Sequence, residues 1–114
     1  MEDIISKELL SEVLKCEGRI QIIHHMCKNQ TMVYYDEHIS CASFEREINI
    51  YELAYKCKEW AFKQGYYLDS GFCKNGGRCF TTTKENWGMY TEKTEIEAIF
   101  KACQYILDNK DSRD

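Results

Sequence analysis

Ile48-Asn49-Ile50-Tyr51-Glu52-Leu53-Ala54-Tyr55-Lys56-Cys57-Lys58-Glu59-Trp60-Ala61-Phe62-Lys63-Gln64-Gly65 carries the clearest structural signal in the chain. Asn49 is a helix-capping residue type, and Glu52, three positions on, stands where a capping box needs an acid to reach back to the cap N–H. Ile48 and Leu53 occupy the two positions of a hydrophobic staple. Ile50, Leu53, Ala54, Cys57, Ala61 and Gln64 share one helical face, and Gly65 supplies the stop. A strand is predicted over 66–73, followed by Lys74-Asn75-Gly76-Gly77. A type I′ turn needs positive φ at both central residues, which Asn75-Gly76 provides, so 78–83 is the expected return strand. A third strand over 87–91 follows Glu85-Asn86. The last helix repeats the cap logic with Thr94 and Glu97, and carries Ile96, Ile99, Phe100, Cys103, Ile106 and Leu107 as its stripe.

Upstream, residues 3–16 predict a first helix with Ile5, Leu9, Leu10, Val13 and Leu14 on one side and Gly18 as its stop. Residues 19–26 and 32–35 read as a hairpin around Lys28-Asn29-Gln30, and the acidic stretch 36–47 as an irregular surface loop. The order is therefore α-ββ-α-βββ-α. The expected class is α+β, with an antiparallel sheet of four to five strands flanked by three helices. The chain has no proline, no Ser/Gly-rich linker and no internal repeat, so 1–114 reads as a single domain with a polar tail over 108–114.

Composition narrows the possible functions. The 15 basic and 19 acidic residues give a net charge of −4, which offers no support for general phosphate binding. No run approaches the ~18 apolar residues of a membrane span. Residues 1–7 lack a basic segment followed by an apolar one, and the seven cysteines contain no Cys-x-x-Cys spacing. A cytoplasmic chain with every thiol reduced is expected, several of them serving as small core hydrophobes.

The segment 48–61 and the closing pattern Thr94-Glu95-Ile96-Glu97-Ala98-Ile99-Phe100-Lys101-Ala102-Cys103-Gln104-Tyr105-Ile106-Leu107 resemble small uncharacterised phage and prophage proteins of the α-β-α "ABA sandwich" type. The likeness covers roughly half the chain, residues 48–109, and lies in capping and core-face positions, so it speaks to fold. It brings no catalytic residues. It implies a genomic setting, an accessory protein of a bacteriophage acting in the cytoplasm of an infected bacterial host.

Four constellations bear on chemistry. His24-x-x-Cys27 and His38-x-x-Cys41 together hold four residues of zinc-ligand type. If Met26 pairs with Thr31, however, His24 stands opposite Val33, and His38 lies roughly 16 Å further along at ~3.3 Å per residue. No metal or other cofactor is therefore expected, a zinc-stabilised module remaining the alternative. Cys73 is expected opposite Arg78, and Cys79 opposite Phe72, as ordinary cross-strand neighbours. No nucleophile elbow, phosphate-cradling loop or His-Glu-x-x-His helix appears, and an enzyme is not expected. Finally, Tyr51, Tyr55 and Phe62 fall within a ~40° arc of the second helix, roughly 130° from its core stripe at 100° per residue. Lys56, Lys58 and Lys63 flank them. Tyrosines can cover core edges with their hydroxyls in water, or form a partner surface.

The expected partner-binding residues are Tyr51, Tyr55, Lys58 and Phe62, together with Asp36 and Glu37 of the acidic stretch. The functional expectation is a phage-encoded, non-enzymatic protein that occludes a host protein in counter-defence, in the manner of an anti-CRISPR inhibitor. An acidic surface would match the positively charged nucleic-acid channel of a host defence effector. The alternative from another class is a nucleotide or single-stranded nucleic-acid binder using the Tyr/Lys face.

Overall fold

The computed structural model describes residues 5–16, 20–25, 30–74, 76–83 and 87–109. α1 (Lys7–Leu14) starts at Ser6, whose hydroxyl accepts the Leu9 N–H at 3.1 Å and donates to Gln104 Oε1 at 2.6 Å. The helix is shorter than its apolar spacing predicts. It ends because Lys15 turns left-handed at φ 53, while residues 3, 4 and Gly18 lie outside the described residues. β1 (Ile20–His25), β2 (Gln30–Ile39) and β3 (Ala42–Asn49) form an antiparallel meander that leads straight into α2 (Ile50–Lys63). A second meander, β4 (Tyr67–Cys73), β5 (Gly76–Thr82) and β6 (Trp87–Glu92), leads into α3 (Glu95–Asp108).

The fold is α+β, but its order is α-βββ-α-βββ-α, with two separate three-stranded sheets where one of four to five strands was expected. The difference lies in residues 36–47. They are the far half of β2 and most of β3, joined at Ser40-Cys41, with Ser40 left-handed at φ 57. This hairpin shows no alternation of hydrophobicity because residues 42–47 are exposed on both faces, and only from Ile48 does β3 reach the core. Cross-strand contacts hold it instead, including the Arg46–Glu37 ion pair at 3.4 Å.

Two register expectations also shift by two residues. His24 stands opposite Thr31 and Ile22 opposite Val33, so four residues, 26–29, lie between the paired ends of β1 and β2. Cys73 pairs with Gly76, which puts Lys74-Asn75 rather than Asn75-Gly76 between the strands. Arg78 therefore faces Gly71, and Cys79 faces Ser70. A slip of two conserves which face each side chain occupies, so the hydrophobic pattern alone does not detect it.

The caps behave as the sequence indicates. Asn49 Oδ1 accepts the Glu52 N–H at 2.9 Å, and Thr94 Oγ1 accepts the Glu97 N–H at 3.1 Å. Glu52 does not reach the Asn49 backbone N–H, since Asn49 is still a strand residue paired with Met32. The carboxylate takes the Asn49 side-chain amide at 3.3 Å instead. α2 closes with a Schellman motif: the Tyr66 N–H donates to the Ala61 carbonyl and the Gly65 N–H to the Phe62 carbonyl, with Gly65 at φ 95.

The chain thus reads as α1 followed by two βββα units, although no sequence repeat announces them. Counted from the caps Asn49 and Thr94, both helices bury the fourth, fifth, eighth and twelfth positions: Leu53 and Ala98, Ala54 and Ile99, Cys57 and Ala102, Ala61 and Ile106. Trp60 also joins the core from α2. Ala98, Ala102 and Tyr105 recur along one side of α3, and Tyr105 meets Tyr90 of β6 with ring centroids 5.6 Å apart, so this row rests on the second sheet. The molecule is a slab of 42 × 38 × 19 Å, two layers thick.

Gly76-Gly77 does not form the turn. Gly77 is buried in β5, where a methyl group would run into the backbone of Thr94 and Glu95 at the start of α3. Gly77→Ala should lower stability by about 2–3 kcal/mol through overpacking against backbone that cannot yield. Gly71, whose added Cβ would meet nothing within 4 Å, should tolerate alanine within about 0.5 kcal/mol. Urea denaturation midpoints of the two variants check this, and equal losses would refute it.

Candidate functional site

α2 presents three faces, each with a different environment. Leu53, Ala54, Cys57 and Ala61 are committed to the core. Lys56, Glu59, Trp60 and Lys63, at i, i+3, i+4 and i+7, form a flank toward β2 and the end of α1. The third face carries Tyr51, Tyr55 and Phe62, exposed to 66%, 66% and 70% respectively, with half-buried Lys58 among them. These are large apolar surfaces held in water on a well-capped helix.

Shallow grooves run along both sides of this aromatic ridge. One, of about 220 Å3, lies against the first turns of α3, where Glu95, Ile96 and Ile99 face Tyr51, Tyr55 and Lys58. The other, of about 510 Å3, lies against the start of β4, where Tyr67 and Leu68 face Tyr55 and Phe62. A ridge of aromatics between two grooves can insert into a partner and also receive side chains from it. Tyr67, itself exposed, extends the ridge beyond the helix.

Asp36 and Glu37 do not belong to this surface. They lie side by side on β2 and so point to opposite faces of the first sheet. Asp36 stands opposite Glu45, and its carbonyl accepts the buried Cys16 thiol at 3.1 Å. Glu37 lines the cleft on the other flank of α2. The expected site residues therefore separate into Tyr51, Tyr55, Lys58 and Phe62, which the fold brings together, and Asp36 with Glu37, which it places elsewhere.

The backbone positions of His24 and His38 lie far apart on the first sheet. His24 sits at one end of the first sheet, its Nδ1 3.0 Å from Thr31 Oγ1. His38 stands opposite Ser43, seven residues along β2 from Thr31, roughly 23 Å at ~3.3 Å per residue. Cys41 is exposed in the turn beyond it, and Cys27 lies outside the described residues. Among the described residues no group of three metal-ligating side chains comes together.

One surface was not legible in the sequence. Tyr67, Thr82 and Trp87 form a row across the outer side of the second sheet, with Asp69, Phe80 and Met89 as the next row. Trp87 is 74% exposed and Met89 half exposed. The alternation of each strand shows which residues face α3, but not that the opposite face stays uncovered. That depends on the molecule being only two layers thick.

No protein-family model, curated protein or solved structure matches the chain. Among the described residues, no helix is long and apolar enough to cross a membrane.

Of the described cysteine side chains, Cys16, Cys57, Cys79 and Cys103 are buried and Cys41 is exposed. Burial pushes the ionisation of Cys79 up to about 12, with nearby Cys103 adding to it. Cys103 is pushed up as well, first by its hydrogen bond to Cys57 and then by burial. A thiol held neutral in the fold contributes stability that is full below its unfolded value of 9.0 and is lost as pH rises toward about 12. Stability should thus fall from pH 9 upward, and less steeply in Cys79→Ala, when unfolding is followed across that range. Identical pH slopes in the two proteins would contradict the assignment.

Proposed function

We propose that this protein is a phage-encoded, non-enzymatic binding protein that occludes a host protein through the outer face of α2. The observation that carries the reading is the ridge of Tyr51, Tyr55 and Phe62, exposed on a helix whose core face is otherwise complete. Aromatic side chains with few rotatable bonds are the residue types that dominate binding energy at protein interfaces. The fold does not need these three rings for its core, which leaves them available for another role. The resemblance to phage accessory proteins supports a bacterial host as the setting. The net charge of −4 suits a basic target such as the nucleic-acid channel of a defence effector, and counter-defence of the anti-CRISPR kind is the role we assign.

A second reading has its own observation. Lys58 and Lys63 stand in the grooves beside the rings, an arrangement that also suits bases stacking on aromatics with lysines on the phosphates. The two readings differ in salt dependence, because a nucleic acid held by lysines loses affinity steeply as salt displaces it.

The test is tagged expression in a phage-susceptible bacterium, identification of the captured protein, and its titration against variants. Tyr55→Ala should leave the melting temperature within a few degrees but weaken capture by about 2 kcal/mol, the loss of an aromatic anchor. Leu53→Ala, in contrast, should lower stability by about 2–5 kcal/mol because it opens a cavity at a fully buried position. Unchanged affinity for the captured protein in Tyr55→Ala and Phe62→Ala would place the interface elsewhere.

A further inference from the structure

We propose that the cleft between the end of α1, β2 and the inner flank of α2 binds a planar anion of mononucleotide size, a nucleoside monophosphate in the simplest case. The cleft measures about 360 Å3, within the ~300–1,000 Å3 of ligand pockets. Its apolar lining is Val13 and Leu14, both half-buried, with Trp60 and Tyr35, which are almost wholly buried so that their rings are fixed by the core. Around the rim stand Lys15 from the end of α1, and Lys56 and Lys63 from α2. Two carboxylates, Glu37 and Glu59, also line it, and Glu37 is already engaged by Arg46 at 3.4 Å. The rim is thus locally cationic on a chain whose net charge is −4.

Lys15 carries a second signal. It closes α1 in the left-handed conformation, φ 53 and ψ 44, where glycine is the residue at least cost. A lysine at a helix C-terminus complements the dipole, which explains a cation there in general. Lys63, in the last turn of α2, complements that helix in the same way, so Lys56 is the rim cation that no helix end accounts for. Fixed aromatic edges below and three ammonium groups above fit a ligand with a flat heterocycle and a phosphate. The site borders the proposed protein interface along α2, sharing Glu59 and Lys63 with the groove beside Phe62, but it does not rest on that reading.

The experiment uses the full chain carrying Trp87→Phe, which leaves Trp60 as the sole tryptophan. Its emission is followed on titration with AMP, UMP, adenosine and inorganic phosphate. A saturable change with AMP or UMP is expected, with adenosine and phosphate each about tenfold weaker or worse. Lys15→Gly should weaken nucleotide binding about fivefold, a loss of roughly 1 kcal/mol, while its melting temperature is kept or raised. Because glycine suits this backbone better than lysine, loss of binding in that variant does not come from unfolding. Lys56→Gln serves as the second probe. Absence of any saturable response at millimolar nucleotide, adenosine binding as tightly as AMP, or unchanged affinity in both lysine variants would overturn the proposal.

Discussion

Everything in this fold depends on α2 lying against α3. Among the described residues the two sheets share no strand pairing. What joins them is side-chain packing, centred on small residues. Ala54, Cys57 and Ala61 of α2 are fully or nearly buried, and the Cys103 thiol of α3 donates to the Cys57 carbonyl at 3.6 Å. A sulfur over a helix carbonyl requires close approach, which a leucine or phenylalanine at either position would prevent. α1 adds to this joint, since the hydroxyl that caps it also bonds Gln104 of α3. The hydrogen bond to Cys57 and the burial that together raise the ionisation of Cys103 thus both belong to the joint between the two halves.

This joint determines which parts of α2 remain available. A helix buried between two sheets would be apolar around its circumference, whereas α2 touches the rest of the molecule over part of its surface only. One side packs on α3 and the core, one flank overlooks the cleft above Tyr35 and Trp60, and the remaining arc faces solvent with its tyrosines. The same geometry leaves the outer side of the second sheet bare, with Trp87 and Met89 exposed. In a slab two layers thick, exposed aromatics follow from the architecture. Their concentration on α2 and along the start of β4 does not.

The positions of α2 and α3 were legible in the sequence because each carries its own local signature. Asn49 and Thr94 act through the next turn of their own helices, and the Schellman ending at Gly65 is equally local. The solvent-facing arc of α2 was legible for the same reason, since helical spacing alone separates Tyr51, Tyr55 and Phe62 from Leu53 and Cys57. Features that depend on distant parts of the chain were not. β3 is a strand because β2 lies beside it, and its first six residues bury nothing that would mark them. Gly77 looks like a turn residue, yet its small size serves the backbone of Thr94 and Glu95, seventeen and eighteen positions further on. The cleft needs α1, β2 and α2 together, so its lysines read as scattered surface charge in the sequence.

Charge and apolar surface lie in different places, which constrains how the proposed occlusion would work. The β2–β3 hairpin sets Asp36 directly opposite Glu45, and like charges facing each other across strands destabilise a sheet. Next to them Tyr34 stands opposite Glu47, and its ionisation is pushed up by desolvation and by that carboxylate. Exposed acidic residues give little affinity, because each ion pair they form in water is worth at most about 1 kcal/mol and is screened by salt. Their larger effect is on encounter rate and on the choice of partner. The aromatic ridge has the opposite character, adding little to long-range attraction but able to bury large rings once contact is made. In the proposed function the hairpin would therefore steer the protein toward a basic target, and the ridge of α2 would hold it there.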